Sequence, residues 1–404
     1  MNKQYIYKFR IYPNKEQITF IDEQFGYNRF VYNFFLERSI NLYKNYGIKT
    51  NYYSNAVILP LLKKGFPFLL NAISQSLQVS LKNLDTAFRN FFQHRAKFPK
   101  FKKKINFNSI VIQQRFKINN NSLFIPKLKT AIKIKFHRKV NETVKSISIS
   151  KTTSGKYYVN MLVEKEFYAL PKINKTSGID LGLKDFAIIT SGDGVNNYSS
   201  IKINNYKYFI KSQNKLKKLN RQFAKKTKGS KNKIKFRNRL SLLHEKVANQ
   251  RKDFLHKLSS MTVNDSQVIV IEDLNIKGMV KNRHLSKSIT DVSWGMFTKQ
   301  LKYKADWYGR DVIKVNRFYP SSKTCSKCGY IKQDLKLSDR QWTCPDCKTT
   351  HDRDINASIN LFLEGLKLTI GQELSELTPA EYAPAGYQNI GISRHTLKQE
   401  AYTS

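Results

Sequence analysis

Four cysteines in two closely spaced pairs place the tightest local constraint on how this chain folds. Cys325 and Cys328, followed by Cys344 and Cys347, form the pattern C-x2-C-x15-C-x2-C and are the only cysteines in the sequence. Each pair lets two thiolates reach one tetrahedral ion from a tight turn. A disulfide set or free thiols are the alternatives, but the spacing and the absence of a recognisable secretory signal favour zinc. Four cysteine ligands leave no position for a catalytic water, so we expect a structural zinc ribbon.

An acidic residue in an apolar strand is the second constraint. Asp180 lies in TSGIDLGLKDFAIIT (residues 176 to 190), where two apolar runs flank Gly182 and predict a strand-turn-strand unit. Aspartate is disfavoured in strands and costly to bury without a partner. Asp180 therefore either makes a turn contact at a strand end or requires a cation, several hydrogen bonds or a metal.

Two further carboxylates occur on separate predicted elements. Glu272 ends the apolar run 267–271, which is typical of a buried strand. Asp354 precedes a run with helical spacing, and it could simply cap that helix. Three carboxylates that converge on one point would instead suit two divalent cations, the kind of site that activates water and stabilises the leaving oxygen of a phosphodiester.

The sequences around these acids resemble a known family. GIDLGLKDFAI, IEDLNIKGM and DRDINASIN occur in this order, with the cysteine motif between the last two. This arrangement resembles the split RuvC nuclease of the transposon-encoded TnpB family, compact relatives of type V CRISPR effectors. NRFVYN (28–33), FPKFKKK (98–104) and TLKQEA (396–401) extend the resemblance over nearly the whole chain.

The resemblance implies a multidomain α+β fold. It predicts an RNase H-like (RuvC) α/β nuclease core at 171–320 and 349–370, with a zinc-ribbon insertion at 321–348. A wedge β-barrel would comprise 1–12 and 97–170, a helical recognition lobe 13–96, and a weakly ordered tail 371–404. The family's catalytic carboxylates fall on Asp180, Glu272 and Asp354, which would bind two Mg²⁺ ions, with Mn²⁺ able to substitute. Ser358 replaces an alanine that is usual in the family, and we expect no loss of packing or activity from it.

The charge of the chain predicts a polyanionic partner. It has 72 basic and 29 acidic residues, a net charge of +43 and a pI near 10.0. An AT-rich genome could explain the preference for lysine, but not the shortage of acids. Nucleic acid is the simplest compensation for such an excess. Membrane-surface binding is the alternative, but no apolar run approaches the length of a transmembrane helix. We expect a cytoplasmic protein that associates with the nucleoid when bound to DNA.

Periodicity predicts several further elements. They are strands at 3–11, 109–112, 122–125, 132–136, 144–150 and 157–163, a third strand of the Asp180 unit ending near 203, and a strand at 312–315. Helices are expected from residue 14 toward 34 and at 71–95, 204–225, 233–262 and 294–309.

Candidate nucleic-acid contacts lie on two of these segments. The polar face of helix 71–95 and the basic loop FPKFKKK carry side chains that suit bases and phosphates: Gln75, Gln78, Lys82, Lys100, Lys102 and Lys103. A solvated helix face and a solvated charge run are the alternatives. His256, isolated on a basic and apolar helix, is assigned to packing or phosphate contact in preference to metal binding.

The resemblance implies an RNA-guided DNA endonuclease encoded by a transposable element. Its guide RNA would be encoded near the 3′ end of its own gene, and its double-stranded and single-stranded DNA target would be cut next to a short adjacent motif. We expect a monomer in complex with RNA. An unguided RNase H-like nuclease or transposase is one alternative, and a non-catalytic zinc-ribbon DNA-binding protein is another. Composition and spacing do not separate a guided from an unguided nuclease.

Overall fold

The computed structural model describes residues 1–104, 108–336 and 338–376, with side chains described as far as residue 368. Its strands are β1 Asn2–Tyr12, β2 Ser109–Ile112, β3 Lys117–Asn119, β4 Ser122–Phe124, β5 Ile132–Lys135, β6 Val144–Lys151, β7 Tyr157–Glu166, β8 Thr176–Leu181, β9 Asp185–Gly194, β10 Asn197–Asn204, β11 Val268–Glu272, β12 Asp311–Val315, β13 Gln341–Thr343 and β14 Thr350–Asp352. Its α-helices are α1 Lys15–Tyr46, α2 Tyr52–Gly65, α3 Ser74–Phe92, α4 Tyr208–Ala224, α5 Lys231–Asp265, α6 Ile276–Met279, α7 Ser286–Val292, α8 Trp294–Tyr308 and α9 Arg353–Glu376. A 3₁₀ helix, Pro67–Asn71, precedes α3.

The described chain divides into two compact units. The first unit comprises Met1–Pro171, Tyr206–Asn264 and Ile276–Arg310. It contains a seven-stranded sheet in the order β2-β6-β7-β1-β5-β4-β3, in which all neighbours are antiparallel. Alternation in β1 buries Tyr7, Phe9 and Ile11 on one face of this sheet, where they join the core. The first strand of the chain is thus paired centrally with strands more than a hundred residues away.

Helices α1, α2 and α3 form a separate apolar core in this unit. Asn14 and Gln17 make the capping box at the start of α1, with each side chain bonded to the other's backbone N–H. Leu77, Leu81 and Leu84 recur at helical spacing on α3 and are all buried. This is the apolar stripe that the sequence predicts for helix 71–95.

The second unit comprises Lys172–Asn205, Asp265–Asn275 and the chain from Asp311 onward. Its five-stranded sheet has the order β10-β9-β8-β11-β12. The three strands β8, β9 and β10 pair in antiparallel fashion, whereas β8, β11 and β12 pair in parallel. Helix α9 packs against β8, β9 and β11. The fold is therefore mixed α/β, with the mixed sheet confined to this unit.

Most predicted elements are confirmed, with ends that differ by a few residues. The Asp180 unit is a hairpin of β8 and β9 followed by β10, and the two basic helices are α4 and α5. Helix α9 continues through 371–376, so the start of the predicted tail is helical, and residues 377–404, which include TLKQEA, lie outside the described residues. Within the described part of the chain, no helix is both long and apolar enough to cross a membrane.

Candidate functional site

Two parallel strands bring the first two carboxylates to the same edge of the sheet. Gly178 pairs with Val270 and Ile179 with Ile271 across β8 and β11. Asp180 and Glu272 directly follow these pairs. Because the carboxyl ends of parallel strands meet at one sheet edge, these two acids are neighbours although 92 positions apart in sequence.

The third carboxylate, Asp354, lies in the first turn of α9. This helix approaches β8 so closely that a Cβ atom at Gly178 would lie 2.2 Å from the backbone nitrogen of Phe362 and 2.5 Å from the carbonyl oxygen of Ser358. Both atoms belong to the helix backbone, which has little freedom to move. The absence of a side chain at Gly178 is therefore what lets α9 lie on the strand that carries Asp180.

The electrostatics of Asp180 show that the three acids interact. Burial raises the pKa of Asp180 well above its usual value, and the negative charges of Glu272 and Asp354 raise it further, while Arg353 opposes them. A carboxyl group in these surroundings favours its neutral form unless a cation is present. The arrangement is thus one that favours binding of positive charge.

Protein partners hold the other two carboxylates. The hydroxyl of Ser321 donates to Oε1 of Glu272 at 2.6 Å. Arg340 donates to Oδ2 of Asp354 at 3.2 Å, and Arg353 donates through Nε and Nη2 to Oδ1 at 3.1 and 2.9 Å. Asp354 is therefore paired with two guanidinium groups, one of them from the segment between the two cysteine pairs.

The residue that caps α9 is Asp352 and not Asp354. Oδ1 of Asp352 accepts from the backbone N–H groups of Asp354 and Ile355 at 3.1 and 3.2 Å. Its other oxygen accepts from Lys202 at 2.8 Å. Burial raises the pKa of Asp352, but the bonds from Lys202 and the helix backbone outweigh it and lower the pKa. The side chain of Asp354 is thus not used as the helix cap.

The carboxylates fit divalent cations in their chemistry. Three anionic oxygen donors on adjacent element ends are what Mg²⁺ and Mn²⁺ prefer. Their oxygens do not, however, form a preassembled ligand set. Among the described residues, the four cysteines are the group of three or more potential metal ligands whose ligand atoms all lie within 4.8 Å of one another, and the three acids are not such a group. A cation bound by all three acids would have to draw Asp354 away from its arginines.

The four cysteines do form such a set. The Sγ atoms of Cys325 and Cys347 are 3.6 Å apart, as are those of Cys328 and Cys344. These separations exceed a disulfide bond and approach the edge of about 3.8 Å expected for a tetrahedron with Zn–S bonds of about 2.3 Å. Contacts with Thr349 lower the pKa of Cys347 to about 6, which favours the thiolate. The cluster fits a tetrahedral zinc ion.

Each cysteine pair closes the same kind of turn. The backbone N–H of Gly329 donates to the carbonyl of Cys325 at 2.9 Å, and that of Lys348 donates to the carbonyl of Cys344 at 3.1 Å. Gly329 and Lys348 both have positive φ, 82° and 58°. Gly329 was recognisable from the sequence as a turn residue, whereas Lys348 was not, because lysine rarely adopts this conformation.

A histidine beside the cluster was not identified from the sequence. Nε2 of His351 lies 3.0 Å from Sγ of Cys325, and its ring packs 4.9 Å from that of Trp342. His351 is on β14 and Trp342 on β13, which pair directly. Strands β13 and β14 have only three residues each, which is too short for alternation to predict them or to indicate the position of the histidine.

The proposed nucleic-acid contacts lie in the first unit and differ in exposure. Gln78, Lys82, Lys100 and Lys103 are exposed, whereas Gln75 and Lys102 are half-buried. Gln75 is bonded to Gln114 through both its donor and its acceptor. Lys102 is bonded through its backbone to Asn33, with its ammonium 4.7 Å from the Tyr32 ring. The ammonium of Lys82 also lies 5.3 Å from the centre of the Tyr52 ring. Three of the six side chains, Gln78, Lys100 and Lys103, are therefore exposed without such a contact, and three already have protein partners.

Three family models match successive parts of the chain. They are described as "Helix-turn-helix domain" over residues 1–48, "Probable transposase" over 158–283 and "Cas12f1-like, TNB domain" over 294–361. The first description does not fit the structure, since residues 1–48 form one strand and one long continuous helix. The third match includes all four cysteines.

Comparison with a solved structure defines the class of protein by its fold. The chain shares its fold with the protein in "Cryo-EM structure of the Cas12f1-sgRNA-target DNA complex", with a TM-score of 0.54 and 16% identity over 86% of this chain and 83% of that one. It is therefore a protein with the fold of a Cas12 effector.

Sequence relatives then identify the family. A Streptomyces pristinaespiralis protein described as "Putative RNA-guided DNA endonuclease" is 34% identical, over 89% of both chains. The Escherichia coli protein InsQ, described in the same words, is 30% identical over 95% of this chain and 98% of its own. A "TnpB-like protein" of Acanthamoeba polyphaga mimivirus is 33% identical over 50% of this chain and 39% of its own. The chain belongs to the TnpB/IS605 family.

Proposed function

We propose that this chain is an RNA-guided DNA endonuclease encoded by a transposable element, and that it cleaves DNA at Asp180, Glu272 and Asp354. The observation that supports this most directly is that the three acids lie at two parallel strand ends and one helix start, where burial and then the charges of Glu272 and Asp354 raise the pKa of Asp180. Relatives along nearly the full length of the chain carry the matching description.

The site uses each residue in a distinct way. Asp180 and Glu272 are the ligands fixed by the sheet, and Ser321 orients Glu272. Asp352 caps the first turn of α9, so that the neighbouring Asp354 has no capping role and would become the third ligand by leaving Arg340 and Arg353. Two Mg²⁺ or Mn²⁺ ions held by these acids would supply the charge that activates water and stabilises the leaving oxygen.

The rest of the chain is assigned to binding. We assign 171–320 and 349–370 to an RNase H-like RuvC core, 321–348 to a ribbon with one structural Zn²⁺, 1–12 and 97–170 to a wedge, and 13–96 to a recognition lobe. The excess positive charge would hold an RNA–DNA duplex by shape, while protein side chains read a short adjacent motif. The RNA would be encoded near the 3′ end of the gene and bind a monomer in the cytoplasm.

Reprogramming the RNA tests this function. RNA that copurifies with the protein is sequenced, its guide segment is replaced, and cleavage of matching DNA is measured in Mg²⁺. A guided nuclease should move its cut to the new matching site when the adjacent motif is kept. A cut position that does not change with the RNA supplied would indicate an unguided nuclease or transposase. Absence of any cleavage would indicate a DNA-binding protein.

Variants of the three acids test the site itself. Asp180→Ala, Glu272→Ala and Asp354→Ala should each abolish cleavage and leave RNA binding intact, because the acids serve chemistry more than docking. Retained Mg²⁺-dependent cleavage by Asp354→Ala would contradict its assignment and point to Asp352 as the ligand.

A further inference from the structure

A cavity of about 700 Å³ lies within the first unit, between β1, the end of β7, α5 and α8. All of its lining residues belong to that unit. The carboxylates and the cysteine cluster belong to the second unit. The lining of the cavity combines positive charge with aromatic rings.

Five cationic side chains line this cavity: Lys8, Arg138, Lys165, Lys252 and Lys304. No carboxylate is among the described lining residues, although Glu142 lies 3.8 Å from the ammonium of Lys165 outside the lining. Burial lowers the pKa of Lys8, and the charge of Lys252 lowers it further, while Glu245 opposes them. Lys8 and Lys252 thus repel each other, and an anion between them would relieve that repulsion.

Lys304 is the most enclosed of these cations, with 6% of its surface exposed. Its ammonium donates to the hydroxyls of Ser259 and Ser260 at 2.7 and 2.8 Å and to the carbonyl of His256 at 2.7 Å. All three acceptors are neutral, and burial lowers the pKa of Lys304 to about 8. Burying a lysine without a carboxylate is costly. Lys304 therefore adds positive charge to the cavity wall, with no carboxylate among these three partners.

An aromatic cluster forms another wall. The ring of Trp307 stacks on Phe167 with centroids 4.4 Å apart and planes 18° apart, and it lies 4.5 Å from Tyr303 and 5.7 Å from Tyr5. Trp307, Tyr303 and Tyr5 are only half-buried. All three rings line the cavity, and the Tyr5 ring also lies 5.4 Å from the ammonium of Lys165. Aromatic rings beside cations are the surroundings in which nucleobases stack.

We propose that this cavity binds one nucleotide from a single-stranded segment of the RNA, with its base against the Trp307 wall and its phosphate near Lys8 and Lys252. Phosphate alone would not need the aromatic wall, and an apolar ligand would not need the cations. A base-paired nucleotide would not suit it either, because its ring faces are stacked within the helix. The choice of RNA as the occupant rests on the proposed function.

A matched pair of variants on α5 tests the phosphate contact. Lys252 lines the cavity, whereas Lys257, five residues further on, is exposed and paired with Asp253 at 2.8 Å. Binding of fluorescein-labelled twelve-nucleotide oligouridine is measured across a salt series. Lys252→Gln should weaken binding about 5- to 10-fold and reduce the log–log salt slope by about 0.7, the loss of one phosphate contact. Lys257→Gln should match the wild type, and equal behaviour of the two variants would overturn the proposal.

Photocrosslinking of the unaltered protein tests the base contact. Oligouridine of the same length with 4-thiouridine at successive positions should crosslink to Tyr5, Tyr303 or Trp307. Abasic RNA of equal length should bind more weakly. Crosslinks only to other residues, or equal binding of abasic RNA, would rule out a base in this cavity.

Two further probes distinguish the source of the nucleotide. If oligodeoxyuridine binds more tightly than oligouridine and crosslinks to the same rings, the occupant of the cavity is DNA and not RNA. Uridine monophosphate that displaces the oligomer at equal concentration would make this a free-nucleotide site. Neither result depends on cleavage, so crosslinks at these rings in a protein without guided cutting would overturn the proposed function alone. Guided cutting by the wild type, with no crosslinks at the rings, would overturn the cavity alone.

Discussion

Replacing Gly178 by alanine tests whether close packing of α9 on β8 sets the geometry of the carboxylates. The added Cβ would lie 2.2 Å from the backbone nitrogen of Phe362, whereas ordinary contact begins at 3.4 Å. The helix backbone would therefore have to move by about 1.2 Å, the difference between these distances. It cannot rotate away as a side chain would, because the obstructing atoms are main-chain atoms.

The displacement should affect cleavage as well as stability. Overpacking of this kind costs about 1–3 kcal/mol of unfolding free energy. The same shift moves Asp354, on α9, relative to Asp180, on β8, and a misplacement of about 1 Å can reduce a catalysed rate about 100-fold. We expect Gly178→Ala to remain folded, to bind RNA and to cleave about 100-fold more slowly.

Cleavage rate and thermal unfolding of the same preparation provide the measurement. Gly194→Ala is the matched control: it ends β9 of the same hairpin, and a Cβ there meets no atom within 4 Å. It should behave as the wild type in both assays. If Gly178→Ala also matched the wild type in both, the helix would not be fixed by this contact and the reasoning would be refuted.

Three further outcomes follow from the same unit. One zinc per chain is expected by elemental analysis, and Cys328→Ser should lose that zinc and destabilise the ribbon, since metal binding and folding are coupled in such sites; a stable, fully active protein without zinc would contradict this. Asp352→Ala should cost about 1 kcal/mol in thermal unfolding through loss of the α9 cap, whereas Asp352→Asn should cost much less because asparagine also caps; equal losses would contradict the capping role. Gly365→Ala places a Cβ 2.4 Å from Cγ2 of Val270 and should destabilise the sheet, and Val270→Ala should restore part of that loss by removing the obstructing atom.

The sequence was informative wherever one element's own periodicity carried the information. Alternation predicted every strand of the seven-stranded sheet except β3, and the apolar stripe predicted α3. The strand-like surroundings of Asp180 and Glu272 indicated that both acids needed partners, and the structure places them side by side. The sequence of each strand did not predict that β8 and β11 are neighbours, because these strands pair although some ninety residues of chain lie between them.

Other features depended on tertiary contacts that leave no local pattern. Helix α2 contains Pro60, which weighs against a helix, and its burial against α3 stabilises it nevertheless. The sequence indicated Asp354 as a possible cap of α9, and only the bonds in the structure assign the cap to Asp352. The pairing of Arg340 with Asp354 joins two segments whose approach depends on the folded ribbon.

The mixed sheet of the second unit tolerates long excursions of the chain between its strands. The chain leaves this unit after Asn205 and contributes α4 and most of α5 to the other unit. It returns at Asp265, shortly before β11 begins. It leaves again after Asn275 and returns at Asp311 for β12, yet β11 and β12 pair in unbroken register over five positions. Pairing in this sheet depends on the register at which each strand begins, and not on the number of residues that connect it to the preceding strand. We therefore expect that residues can be inserted or deleted after Asn205 and after Asn275, in evolution or in the laboratory, while the strand ends that carry Asp180 and Glu272 remain neighbours.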